Sequence, residues 1–489
     1  MNIIGRKQES KELLDSFNTK QAEFIVTYGR RRIGKTFLIE ETFKKQKCYF
    51  FHVTGIQDGN MKVQLKEFAK SMSATFYNGV SIMPANSWMD AFEELTKTIE
   101  GVKSKLKVVL FFDELPWMST KRSKVLQALD YYWNRRWSKN QRIKLIVCGS
   151  SASWIIKNII HNKGGLHNRY TKSLLLKPFS LHETKMFLEN NGINLNDKQI
   201  LLLYMVMGGV PHYLKQIKKG LSATQNINNL CFSENGILFS EFDKLFKSLF
   251  DDAKKYVELI RIVAQVREGV SRNYIEENSK FSQKGGTLTD RLKDLELAGF
   301  IKSFLPLGHT RQGEYYRIID EYSYFYLRWI EPEKHTLLGQ ELENKFWIKK
   351  TGTPAYYNWM GYAFEAICYK HISQIREALN IDYGTRAGTW RYIPRGEMKE
   401  KGAQIDLLFE RDDNTLTLCE IKCTEKPFVL DKRYYECLLN KVQVYKTITR
   451  TQKQIFIGFV TTSGIKNTRY SAKIIDGTVT SDDLFKSAG

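Results

Sequence analysis

Residues 29–36 read Gly-Arg-Arg-Arg-Ile-Gly-Lys-Thr, and their neighbours leave little freedom in how they fold. Before them, Phe24-Ile25-Val26-Thr27-Tyr28 is an apolar run of strand length, and after them Thr36-Phe37-Leu38-Ile39-Glu40-Glu41 opens like a helix. A glycine turn leading from a buried strand into a helix is the first unit of a parallel, doubly wound sheet. Gly29 and Gly34 let backbone N–H groups close around an anion at the helix N-terminus. Lys35 reaches toward β- and γ-phosphates, and the Thr36 hydroxyl is placed to ligate magnesium.

The strand-like runs continue at 48–53, 107–112, 144–148 and 173–176, alternating with amphipathic helical stretches, so residues 1–177 are expected to form an α/β nucleotide-binding core. The run at 107–112 ends in Asp113-Glu114, the form a Walker B element requires: Asp113 to hold magnesium and Glu114 to orient the attacking water. The run at 144–148 ends in Gly149-Ser150-Ser151, which sets hydroxyls beside that strand, and Ser150 is taken as the γ-phosphate sensor. Arg169, before the last core strand, is a candidate to supply positive charge to the transferred phosphoryl, within the chain or across a homo-oligomer interface; a surface arginine is the plain alternative. Gly208-Gly209-Val210-Pro211 interrupts a helical region and marks a tight backbone feature or a simple interhelix turn.

Ile4-Gly5-Arg6, Tyr28 with the triple-arginine loop, Asp113-Glu114, Gly149-Ser150, Pro178-Phe179-Ser180 and Gly208-Gly209-Val210-Pro211 together resemble the archaeal-type ATPase family, within the STAND and AAA-related P-loop NTPases. The resemblance covers residues 1 to about 240. It implies ATP as cofactor, with Gly5 and Arg6 flanking the adenine, Arg30, Arg31, Arg32 and Ile33 belonging to the loop that holds the nucleotide, and Pro211 in a helical lid (178–248) sensing nucleotide state.

Residues 249–330 look like a winged helix: helical stretches at 257–266, 271–279 and 287–298, then two strands at 299–304 and 314–319. In DNA-binding versions the third helix enters the major groove, which would bring Gln283, Lys284, Thr287, Thr289 and Arg291 near it. A rigid connector is the other reading. A formal net charge of +22 favours a polyanionic partner such as DNA, although a solvated basic surface accounts for charge alone equally well.

From 341 to 489 a second α/β unit is expected. Its hairpin, 405–410 and 415–422, centres on Asp413, so Asp406 falls opposite Glu420 and period two brings Lys422 to the same face. Two carboxylates and an ammonium on one face are costly to gather unless a metal sits between the acids. Magnesium or manganese on Asp406 and Glu420 would polarise a phosphodiester and lower the pKa of its water, with Lys422 positioning or activating the nucleophile. This Asp, then Glu-x-Lys, arrangement resembles the PD-(D/E)xK nuclease superfamily, specifically the domain of unknown function found C-terminal to archaeal-type ATPases. Glu365 matches the acidic residue of that superfamily's first helix, and Ile405 stands where a proline is usual. Gln443 is an accessory candidate or solvated. Cys419 and Cys423 are read as strand residues rather than zinc ligands.

Seven scattered cysteines suggest no disulfide framework, and no apolar stretch or secretory h-region points to a membrane, so a soluble cytoplasmic protein is expected. The fold class expected is multidomain α/β: a P-loop NTPase core, a helical lid, a winged helix and a restriction-endonuclease-like C-terminal domain. The function expected is an ATPase whose nucleotide state controls a metal-dependent DNA nuclease; by analogy, defence or mobile-element biology suits such a fusion. The alternative is a non-catalytic, ATP-driven regulator that binds DNA or a partner through an inactive nuclease fold.

Overall fold

The computed structural model describes all residues except 1–2, 121, 162–164, 167, 282–283, 308–313, 338–344, 393, 395–401 and 488–489. The chain divides into two compact units, Met1–Pro178 and Phe179–Gly489. The first is built on five parallel strands, β1 Glu23–Tyr28, β2 Cys48–Thr54, β3 Lys107–Asp113, β4 Ile143–Gly149 and β5 Lys172–Leu175, in the order β2-β3-β4-β1-β5. Side chains alternate between its faces. Phe24, Val26, Leu110, Phe112, Leu145 and Val147 pack with helices Met61–Phe76, Trp88–Gly101 and Val125–Arg135, whereas Ile25, Val109, Phe111 and Ile146 pack with helix Lys35–Phe43. Covering both faces is why these strands read as unbroken apolar runs.

The second unit opens with helices Leu181–Asn190, Asp197–Met207, Ala223–Cys231 and Glu241–Leu249. The Gly208-Gly209 pair is there for close approach. A Cβ on Gly209 would stand 1.9 Å from the Phe179 carbonyl oxygen, and Gly208, at φ 58°, faces Glu321. Phe179 N donates to Gly209 O at 2.7 Å, locking the first residue of the unit to this turn.

Helices Ala253–Ala264, Arg272–Asn278 and Gly285–Leu297 follow, with strands β6 Val270–Ser271, β7 Ile301–Phe304 and β8 Tyr315–Ile318 in an antiparallel sheet ordered β6-β8-β7. The last sheet holds β9 Arg386–Tyr392, β10 Ala403–Glu410, β11 Thr415–Lys422, β12 Gln454–Thr461 and β13 Gly477–Thr480, in the order β13-β12-β11-β10-β9. Strands β9, β10 and β11 run antiparallel, while β11, β12 and β13 run parallel. Helix Pro354–Lys370 contributes Phe364, Ile367 and Cys368 to the core on the face carrying Leu407, Phe409, Cys419 and Ile421. Helix Lys432–Thr449 contributes Val444 and Tyr445 to the face carrying Leu408, Leu416 and Leu418.

The sequence treats 178–248, 249–330 and 341–489 as separate segments, yet their apolar side chains share one core. Phe232 stacks on Trp347 at 5.7 Å, and Trp359 meets both Trp347 and Phe325 edge-on at 5.5 and 5.3 Å. Polar links reinforce it. Lys370 pairs with buried Glu321 at 2.6 Å, and His371 joins the first helix of the unit to helix Pro354–Lys370. The Leu181 N–H donates to His371 Nε2 at 3.1 Å, while His371 Nδ1 lies 2.8 Å from the Ile367 carbonyl. Only the neutral ring with its proton on Nδ1 satisfies both contacts. Among the described residues no helix is long and apolar enough to cross a membrane.

Burial lowers the His371 pKa from 6.5 to about 4. A depressed histidine pKa contributes stability that is complete above the unfolded value and is lost as pH falls from 6.5 toward 4. Urea unfolding of the wild type should therefore show a loss of about 3 kcal/mol across that window. The loss should shrink in His371→Gln, which keeps an acceptor for Leu181 and cannot charge.

Candidate functional site

The loop after β1 is held by close backbone packing. Gly29 has φ 143°, and a Cβ there would lie 2.3 Å from Leu176 O and 2.8 Å from the Ile33 side chain. Gly34, at φ 86°, is the left-handed residue from which helix Lys35–Phe43 starts. Lys35 is buried, and its ammonium donates to the carbonyls of Gly29 and Arg30, both at 3.0 Å, crossing the loop it closes. Thr36 Oγ1 donates to Asp113 Oδ2 at 2.8 Å. A hydroxyl and a carboxylate so paired are hard oxygen donors that suit magnesium, which keeps most of its waters and takes few protein ligands.

Asp113 ends β3 and is buried. Burial raises its pKa, but hydrogen bonds from His52, Thr36 and Cys148 outweigh burial and hold it below the ordinary value. Glu114 follows in the left-handed region at φ 50°, turning its carboxylate toward β4, where Oε2 accepts from Ser150 N at 3.0 Å and Ser150 Oγ at 2.9 Å. Burial pushes the Glu114 pKa up against the opposing charge of Lys35. Loop lysine, Asp113, Glu114 and Ser150 thus form one connected centre.

The other expected nucleotide residues are dispersed around it. Gly5 and Arg6 both adopt positive φ, and Arg6 donates to Lys177 O while pairing with Glu9 at 3.1 Å, tying the N-terminal helix to the segment after β5. Arg30 is buried, Arg31 lies 5.7 Å from the Trp117 ring, and Arg32 takes φ 72°. Arg169 is exposed on the segment leading into β5 and forms no ion pair among the described residues. Pro211 belongs to the second unit, where it starts the short helix Pro211–Leu214. His52 was not anticipated. Its Nε2 lies 3.9 Å from Asp113 Oδ2, its Nδ1 3.2 Å from Glu40, and its ring stacks on Phe111 at 4.5 Å. The available signal was a polar residue inside the apolar 48–53 run.

In the second unit the β10–β11 ladder pairs Leu407 with Cys419 and Leu408 with Leu418, and Asp406 and Glu420 adjoin its last pair. The β9–β10 register shifts between Ile405 and Leu408, an irregularity of the kind that re-aims a side chain. Asp406 Oδ2 accepts from Ile421 N at 3.0 Å. Glu420 is buried and receives Tyr434 Oη at 2.6 Å, Lys422 Nζ at 3.4 Å and the Lys441 ammonium. Burial, then Glu420 and Glu365, raise the Asp406 pKa; for Glu420 burial acts upward too, but Lys441 and Lys422 bring it below its ordinary value. Two crowded carboxylates with opposite shifts are an oxygen pair suited to a divalent cation.

Glu365 does not complete a three-carboxylate set. Among the described residues no three His, Cys, Asp or Glu side chains gather closely enough to hold a metal. Its helix covers the sheet face opposite Leu408 and Leu418, and its carboxylate is occupied by Arg267 at 2.7 Å, with the Tyr369 hydroxyl 3.2 Å away. Lys441 and Tyr434 were missed. They lie seven positions apart on helix Lys432–Thr449, hence on one helical face, while Gln443 points elsewhere, exposed and 3.4 Å from Thr447. On the third helix of the middle module, Thr289 accepts from Arg272, and Arg291 lies 3.5 Å from Asp252. Gln283 lies outside the described residues.

Residues 4–217 match the family model described as an ATPase domain predominantly from Archaea. Uncharacterized protein MJECL04 of Methanocaldococcus jannaschii is 25% identical over 446 residues, spanning 90% of this chain and 91% of the relative. Among solved structures, the Walker-type ATPase PABY2304 of Pyrococcus abyssi aligns at 17% identity and TM-score 0.48, covering 67% of this chain and 96% of that one. The Aeropyrum pernix ORC2 protein aligns at 14% identity and TM-score 0.43, covering 69% and 94%. The N-terminal part of the chain is an archaeal-type ATPase domain with a parallel-sheet P-loop core.

Lys35→Ala should abolish ATP binding in equilibrium dialysis. Glu114→Gln should bind ATP with near wild-type affinity while phosphate release slows by about a hundredfold or more. Equal hydrolysis by wild type and Glu114→Gln would remove Glu114 from the reaction.

Proposed function

We propose that this protein couples its ATPase domain to a magnesium-dependent nuclease centre, built from Asp406, Glu420 and Lys422, that acts on DNA. The observation that carries the reading is the hairpin geometry: the β10–β11 ladder pairs Leu407 with Cys419, the residues adjoining Asp406 and Glu420, Asp406 Oδ2 accepts from Ile421 N at 3.0 Å, and Lys422 Nζ lies 3.4 Å from the Glu420 carboxylate. Asp406 and Glu420 would hold the metal, magnesium or manganese, which when bound supplies Lewis acidity and a nucleophile at neutral pH. Lys422 contributes a fixed positive charge beside the reacting phosphate. Tyr434 and Lys441 orient the Glu420 carboxylate from the facing helix. The middle module, read as a winged helix from its three helices and β6-β8-β7 sheet, joins the effector to the helical lid. In the ATPase domain, Lys35 and the loop amides bind the phosphates, Thr36 and Asp113 would hold magnesium, Glu114 orients water, and Ser150 holds Glu114 in position.

Nucleotide state has a covalent route toward the effector. Leu176 packs on Gly29, the Lys177 carbonyl accepts from Arg6, and Phe179 starts the second unit bound to Gly209. In this reading Pro211, two residues past Gly209, belongs to the turn that responds.

A second reading is favoured by one observation. Both Glu420 oxygens already have cationic or hydroxyl partners, the state of a carboxylate centre that binds without cutting. Incubation of plasmid, single-stranded and branched DNA with magnesium or manganese, with and without ATP, separates the two readings. Cleavage should appear with metal, vanish with chelator, and fall by about a hundredfold or more in Asp406→Asn and Lys422→Ala, while ATP hydrolysis persists. Cleavage that survives both substitutions sinks the nuclease reading; metal-independent, salt-sensitive binding without cleavage supports the regulator.

A further inference from the structure

The second unit holds a cavity of about 640 Å³, bounded by the end of helix Ala253–Ala264, the segment Glu321–Ile330 and helix Pro354–Lys370. Its charge is one-sided. Arg261, Arg267 and Arg328 line it against a single carboxylate, Glu331. Arg261 takes Glu331 at 2.7 Å, whereas Arg328 is exposed and has no carboxylate partner among the described residues. Arg328 sits on the π-helical turn Tyr326–Ile330, a backbone irregularity frequent at functional sites. Tyr324 lines it half-buried and packs at 4.1 Å on Tyr362, which like Trp359 is buried.

We propose that this cavity binds a single nucleic-acid strand, holding its phosphates on Arg261, Arg267 and Arg328 with a base against the half-buried Tyr324 ring. Guanidinium groups over aromatic rings are the chemistry by which proteins hold single strands. The volume is that of a small-ligand pocket and admits a nucleotide or two rather than a duplex. Arg267 both lines the cavity and holds Glu365 at 2.7 Å, so a strand phosphate competes with Glu365 for it. The strand's path toward Asp406 and Glu420 rests on the nuclease reading above; binding in the cavity does not.

The test is fluorescence anisotropy of labelled oligothymidylate on the full chain carrying Asp406→Asn, in chelator, so that no cleavage intervenes. Arg328→Glu in that background should weaken binding about tenfold or more, and Arg328→Ala should lower the salt slope by about 0.7. In the unsubstituted protein, a strand carrying iodouracil should photocrosslink to the peptide containing Tyr324. Unchanged affinity and salt slope, or crosslinks confined to other peptides, overturn the proposal. Displacement by duplex or free thymidine monophosphate as effective as that by unlabelled strand overturns the single-strand assignment. Strand binding that depends on Arg328 without any cleavage by wild type keeps the cavity and removes the nuclease; metal-dependent cleavage and affinity both untouched by Arg328→Glu do the reverse.

Discussion

A carboxylate taken out of water must be met by hydrogen bonds, cations or a proton, and this chain buries acids at the business end of both its main sheets. Asp113 and Glu114 sit at the end of β3, and Asp406 and Glu420 sit across the β10–β11 ladder. The two pairs are met differently. Asp113 and Glu114 receive neutral hydroxyls, a ring and a backbone amide, with Lys35 as the nearby charge, which leaves the centre open to a phosphate-bound cation. Glu420 instead receives two ammonium groups, while burial and then the charges of Glu420 and Glu365 raise the proton affinity of Asp406.

Helix Pro354–Lys370 is the hub of the second unit. Its apolar face fills the core under β10 and β11, and its polar residues reach the other segments. Glu365 takes Arg267, Tyr369 stacks under Arg317 at 3.6 Å, and Lys370 neutralises Glu321. His371, just after it, caps the first helix of the unit. These contacts tie the helix to the segments packed around it.

Where side chains are related by short covalent distance or strand period, the sequence was a sufficient guide. Gly29, Gly34, Lys35 and Thr36 are neighbours in one turn, and Asp113 with Glu114 ends a run whose apolar continuity announces a strand buried on both faces. The β10–β11 register, Leu407 with Cys419, is the one obtained by centring the hairpin on Asp413, and it brings Asp406 and Glu420 to the end of the ladder. The position of Glu365 was not legible for the converse reason. Its helix belongs to the same domain, but the sheet face it covers is decided by packing and not by local pattern.

The sequence by itself determined the nucleotide loop, its acidic partners, the strands that present them and the pairing of the C-terminal acids, all of which depend on local geometry and periodicity. Only the tertiary structure decided that Ser150 holds Glu114, that His52 approaches Asp113, and that Lys441 and Tyr434 close on Glu420. It also decided that Arg267, nearly a hundred positions away in sequence, takes Glu365 and opens a basic cavity beside it. Such contacts join elements whose separation along the chain carries no record of their separation in space. They exist because apolar faces had to be buried together, and that burial set the polar side chains at the seams.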